Sequence, residues 1–65
     1  MIVVVNDRQV EIDDRTTVAG LVEFLGYPDR GVAVAVDAVV LARSRWATTL
    51  SEGARVEVVT AVQGG

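Results

Sequence analysis

Thr17-Val18-Ala19-Gly20-Leu21-Val22-Glu23-Phe24-Leu25-Gly26-Tyr27-Pro28 is the stretch of this chain that reads with a helical period. Val18, Leu21, Val22 and Leu25 recur at i, i+3, i+4 and i+7, so they share one face of a helix. Phe24 widens that stripe, and Glu23 lies on the opposite side. Thr17 stands where a hydroxyl accepts from an early helical N–H. Gly26 supplies a left-handed stop, and Pro28 prevents the helix from resuming. Gly20 in the interior costs about 1 kcal/mol relative to alanine, so a helix this short depends on tertiary packing. The spacing predicts one helix from Thr17 to Leu25.

On its N-terminal side, Ile2-Val3-Val4-Val5 is a β-branched run that favours extended backbone, followed by the turn formers Asn6-Asp7-Arg8-Gln9. A return strand at about Val10 to Asp13 alternates Val10 and Ile12 against Glu11 and Asp13, which sets its register. Asp13-Asp14 is a carboxylate pair with no third ligand near it, and it reads as a solvated turn suited to the positive end of a helix.

On the C-terminal side, Tyr27 to Gly31 is a loop, in which Tyr27 packs its ring and leaves its hydroxyl wet. Val32-Ala33-Val34-Ala35-Val36 alternates large and small side chains, as for a central strand with a bulky face on the core and a thin face against a close neighbour. Asp37-Ala38 turns the chain into Val39-Val40-Leu41. Arg43-Ser44-Arg45-Trp46 is an exposed connection in which an arginine lies over Trp46, and Trp46 plugs the core. After the turn Ser51 to Ala54, Arg55 to Val59 is the last strand. A helix between an N-terminal hairpin and later strands predicts an α+β domain, with a mixed sheet packed on one helix. Val3, Val5, Val18, Leu21, Val22, Leu25, Val34, Val56 and Val58 are its expected core. Residues 1–59 form this domain and 60–65 a flexible tail.

The chain ends Thr60-Ala61-Val62-Gln63-Gly64-Gly65. Two glycines in succession let the backbone pass through a channel too narrow for any side chain. Extended, at roughly 3.3 to 3.6 Å per residue, Thr60 to Gly65 reaches on the order of 20 Å, enough to enter another protein's active site. Composition points the same way. The 65 residues contain no Cys, no His and no Lys, so imidazole, thiolate and amine chemistry are all missing, as are soft metal ligands. A domain of this size buries only about 60% of its unfolded surface and leaves little room for a deep pocket. It is better suited to being handled by enzymes than to being one. Six scattered arginines against nine acidic residues give a net charge of −3, which argues against nucleic acid as a partner. The apolar start is stopped by Asn6-Asp7-Arg8, far short of a signal core or a span of about 20 residues, and the protein reads as cytoplasmic.

The element order, Val5-Asn6-Asp7, the Thr17-Val18 helix start, Arg43-Ser44-Arg45-Trp46, the Glu52-Gly53 turn and the ending Ala61-Val62-Gln63-Gly64-Gly65 together resemble the ThiS family. These are sulfur carriers of thiamine biosynthesis with a β-grasp, ubiquitin-like fold. The resemblance runs the whole length. Ala42 stands where many relatives have proline, and Gly20 where they have a better helix former.

The resemblance implies that the carboxylate of Gly65, presented by Gly64, is adenylated by an E1-like adenylyltransferase of the ThiF type using ATP and magnesium, with no cofactor bound by the carrier itself. A terminal carboxyl ionises near pH 3.3 to 3.7, so at neutral pH it is a poor electrophile and needs this activation. Sulfur from a cysteine desulfurase persulfide then replaces AMP, and the thiocarboxylate donates it to thiazole synthase of the ThiG type. Thr60, Ala61, Val62 and Gln63 give reach. Ile2 and Val4, with the small face around Ala33 and Ala35, are expected to form an exposed patch beside the tail for these partners. Two alternatives remain: the small subunit of molybdopterin synthase, and a ubiquitin-like modifier or binding module joined through Gly65.

Overall fold

A computed structural model describes residues 1–61. The strands are β1 (Ile2–Val5), β2 (Arg8–Glu11), β3 (Val32–Val36), β4 (Val39–Leu41) and β5 (Arg55–Thr60), with helix α1 (Val18–Phe24) between β2 and β3 and a single 3₁₀ turn, Arg43–Arg45, after β4. They form one mixed sheet in the order β2-β1-β5-β3-β4, on which α1 packs. β5 runs parallel to β1, whereas its pairing with β3 and both hairpins are antiparallel. The α+β arrangement is the one expected. The middle of the sheet is β5, however, with β3 next to it: β3 has a neighbour on each side, but the last strand of the chain is inserted between the two hairpins.

The first hairpin is tighter than its run of turn formers suggests. Val5 pairs with Arg8, so Arg8 and Gln9 belong to the return strand and the turn is only Asn6-Asp7. Both turn residues have positive φ, 48° and 69°, as in the type I′ turn whose twist matches paired strands. Asp37-Ala38 repeats the geometry between β3 and β4, with φ of 49° and 71°.

Helix α1 is short, but both of its ends are capped. At the start, Thr17 Oγ1 accepts from Gly20 N–H at 3.0 Å, while Val18 and Ala19 N–H donate to the carbonyls of Thr48 and Trp46. The segment after the 3₁₀ turn therefore supplies acceptors that no local residue could. A Cβ on Gly20 would lie 3.3 Å from Thr17 Oγ1, so the glycine makes room for the capping hydroxyl. At the end, Tyr27 N–H reaches Val22 C=O and Gly26 N–H reaches Glu23 C=O, the two bonds of a Schellman motif, with Gly26 at φ 84°.

Val18, Leu21 and Val22 of α1 are buried against Val3, Val5, Val34, Val56 and Val58, closed by Ile12, Trp46, Leu50 and Ala54. Leu25 is only half-buried at the edge of this core. Phe24 does not widen the buried stripe: at about 100° per residue it lies on the order of 110° from the stripe's centre, and it is 71% exposed. Trp46 is 5% exposed, its indole N–H donates to Leu41 C=O, and Arg43 lies over its ring at 4.6 Å. The expected plug and cation–π contact are both present. No helix among the described residues is long and apolar enough to cross a membrane.

Candidate functional site

The C-terminal segment leaves from the most enclosed strand of the sheet. β5 pairs with β3 from Val36↔Val56 to Val32↔Thr60, and with β1 on its other side. Thr60 is the last strand residue, and Ala61 N–H donates to Gly31 C=O at 2.6 Å. The expected flexible tail of residues 60–65 therefore begins too early: Thr60 is a strand residue paired with Val32 and Ala61 is hydrogen-bonded to Gly31, because β3 extends far enough to pair with them, while Val62, Gln63, Gly64 and Gly65 lie outside the described residues.

β1 would be the natural partner for the far end of β5, but it stops at Val5↔Val56 because the chain turns at Asn6. Val58 would then face an empty flank. Asn6 fills it: Oδ1 accepts from Val58 N–H at 2.9 Å, and Nδ2 donates to Val58 C=O at 3.2 Å and to Tyr27 Oη at 3.4 Å. Its side-chain amide continues the ladder one rung beyond the strand. As a sequence feature, Asn6 reads only as a turn former; its second role depends on a residue 52 positions away.

The residues expected to form one exposed patch beside the tail lie on the outer face of the sheet, opposite α1, but as two separate pairs, and Val4 and Ala35 are only half-exposed. Ile2 and Val4 are on β1, Ala33 and Ala35 on β3. Val4 is opposite Arg55, and Ala35 opposite Glu57, so these two charged residues of β5 separate the pairs. Val4 also lies five residues back along the sheet from Thr60, roughly 17 Å. Ala33 is nearer the tail, opposite Val59. Beside it, Val59 and Val40 are 64% and 76% exposed, and with Ala35 they line a shallow hollow of about 230 Å³. Val59 and Val40 were not singled out by sequence reasoning. The signal for Val59 was a valine at the same strand parity as Arg55 and Glu57, an apolar side chain on a wet face.

The Asp13-Asp14 carboxylates do not converge on a common site. Asp13 Oδ1 accepts from Arg15 N–H at 2.8 Å, and Asp14, 86% exposed, lies 3.5 Å from the N-terminal ammonium. The pair is a solvated turn. Among the described residues no three His, Cys, Asp or Glu side chains converge as a metal site would require, and every buried side chain is apolar.

The ThiS family model matches residues 3–65. The chain belongs to the ThiS family. The crystal structure of the thiamine biosynthesis protein ThiS from Geobacter metallireducens is similar to it with a TM-score of 0.78 at 29% sequence identity, covering 100% of both chains. That likeness identifies the mixed sheet on one helix as the β-grasp fold. No curated protein matches the chain.

Proposed function

We propose that this ThiS-family protein is a sulfur carrier of thiamine biosynthesis that acts as a co-substrate of other enzymes. The observation that carries the reading is the family match over residues 3–65, which runs through the terminal diglycine. The similar structure is that of a thiamine biosynthesis protein, which favours thiazole formation over the molybdopterin route.

In this reading an E1-like adenylyltransferase of the ThiF type binds ATP and magnesium, and a Gly65 carboxylate oxygen attacks the α-phosphorus with loss of pyrophosphate. A persulfide sulfur, drawn from cysteine by a desulfurase, attacks the acyl carbon and expels AMP. A thiol then cleaves the S–S bond, leaving the thiocarboxylate on Gly65. Ionised at neutral pH, it is a soft nucleophile that thiazole synthase of the ThiG type uses as its sulfur source. Gly64 keeps the path to Gly65 free of side chains. Thr60 and Ala61 are held against β3, so the reach falls to Val62 and Gln63 with the two glycines.

The outer face is the docking side. Ala33, Ala35, Val40 and Val59 form its apolar half beside the tail, and Ile2 and Val4 the half beyond Arg55 and Glu57. An exposed apolar surface of this kind next to the reactive terminus suits a partner that must hold the domain while taking in the tail. The test is to incubate the protein with ATP, magnesium, a ThiF-type enzyme and a persulfide donor, then weigh it intact. One sulfur replacing one oxygen, lost when Gly65 is deleted, is the expected result. An unchanged mass in the presence of an enzyme that loads its own carrier would overturn the reading.

A further inference from the structure

We propose that Gly31 is a positioning residue that sets the direction in which the C-terminal arm leaves the domain. The inference rests on the sulfur-carrier reading for its consequence, but its structural half stands alone. β3 and β5 are in register at Val32↔Thr60, and the same register brings Gly31 opposite Ala61, whose N–H donates to Gly31 C=O at 2.6 Å. This is the final rung before the arm. A Cβ on Gly31 would sit 3.3 Å from Ala61 Cβ and 3.9 Å from Ala61 N. Opposed Cβ atoms in a regular antiparallel pair are about 4.5 to 5.5 Å apart, so a side chain at position 31 would crowd residue 61 and make it give by a few tenths of an ångström.

Gly31 has φ of 70°, but that alone does not call for glycine in this chain. Asn6, Asp7, Asp37 and Ala38 hold φ between 48° and 71° with side chains attached. What separates Gly31 from them is the contact with Ala61. The loop that delivers Gly31 is tied down from its other side: the Arg43 guanidinium donates to Asp29 C=O and lies over the ring of buried Trp46. The position of Ala61, from which the arm starts, is thereby referred back to the core. Adenylation needs reacting atoms within about 3 to 3.5 Å, and a misplacement of 1 Å can cost on the order of a hundredfold. A side chain at position 31, forcing residue 61 aside by a few tenths of an ångström, tilts the arm at its root.

The test uses the full chain with Gly31→Asn, Ala61→Gly and the double variant. Asparagine accepts positive φ, so Gly31→Asn adds the Cβ without requiring a new backbone conformation. Expected for Gly31→Asn are at least about tenfold faster amide hydrogen exchange at residue 61, and a kcat for pyrophosphate exchange with a ThiF-type enzyme lower by about tenfold, with KM within about twofold. Ala61→Gly in that background removes the opposing methyl and should return both towards native. A loss of folding alone would instead lower the melting temperature and would not be rescued at position 61. Unchanged exchange at residue 61 in Gly31→Asn, or a kcat that stays low in the double variant, would overturn the assignment. If the native protein is not adenylated at all while the exchange results hold, the sulfur-carrier reading fails and the anchor at Gly31 stands.

Discussion

Replacing Asn6 with glycine tests whether a single side chain holds the strand that bears the tail. Glycine keeps the positive φ of 48° that the hairpin turn needs and removes only the amide. Two hydrogen bonds to Val58, of 2.9 and 3.2 Å, are lost. At about 0.5 to 1.5 kcal/mol each they amount to roughly 1 to 3 kcal/mol, and the extra chain entropy of glycine adds about 0.5 to 1. Water can reach the part-buried site and offset some of this, so the expected loss is about 2 to 3 kcal/mol. A domain this small has roughly 3 to 10 kcal/mol of stability in all, and each kcal/mol shifts its melting temperature by about 4 to 8 °C. Urea unfolding followed by Trp46 fluorescence should show the loss, with a fall in melting temperature of roughly 10 to 20 °C. Asn6→Ala should be worse still, because alanine at positive φ adds about 1 to 2 kcal/mol of strain. If Asn6→Gly costs less than about 0.5 kcal/mol, the side-chain rung contributes nothing and the end of β5 is held by β3 alone.

Three further outcomes are expected. Ala38→Gly should stabilise the protein by about 0.5 to 1 kcal/mol in thermal unfolding, since φ of 71° strains alanine by more than glycine adds in chain entropy; a destabilisation would contradict the assigned turn. Val40→Asp should weaken binding to the ThiF-type or ThiG-type partner at least about tenfold in calorimetry while the melting temperature stays within a few degrees, because Val40 is 76% exposed; Val4→Asp tests the other half of the face, and unchanged affinity for both partners in either variant removes that half from the docking surface. Appending one alanine after Gly65 moves the carboxylate by more than 3 Å and should abolish sulfur loading, read by intact mass, with no change in stability; equal loading of the extended form would show that the terminus is not the working end.

Much of this protein is legible locally. The i, i+3, i+4, i+7 spacing of Val18, Leu21, Val22 and Leu25, bounded by Thr17 and Gly26, defines the helix because a helix repeats within a few residues and its caps act on adjacent N–H and C=O groups. The strands follow from period-2 alternation and the turns from turn residues, again within a few positions, except that β2 is Arg8–Glu11 rather than about Val10 to Asp13, because the tight Asn6-Asp7 turn puts Arg8 directly opposite Val5. The diglycine motif and the family resemblance come from the chain alone, and they are what point to a carrier.

Only the tertiary structure decided which strand lies beside which. Period 2 says which face of a strand is apolar, not which neighbour it takes, so nothing local could place β5 between β1 and β3. Three consequences follow from that placement. Arg55 and Glu57 divide the outer apolar face, Asn6 becomes a rung for Val58, and Gly31 meets Ala61 at the root of the tail. Phe24 is a different case: its place on the order of 110° from the stripe's centre follows from the helical period, so its exposure was legible locally and counting it with the apolar stripe misread that geometry. Each of the three consequences joins residues that are far apart in the chain, and such pairs meet only once the whole sheet has closed around the helix.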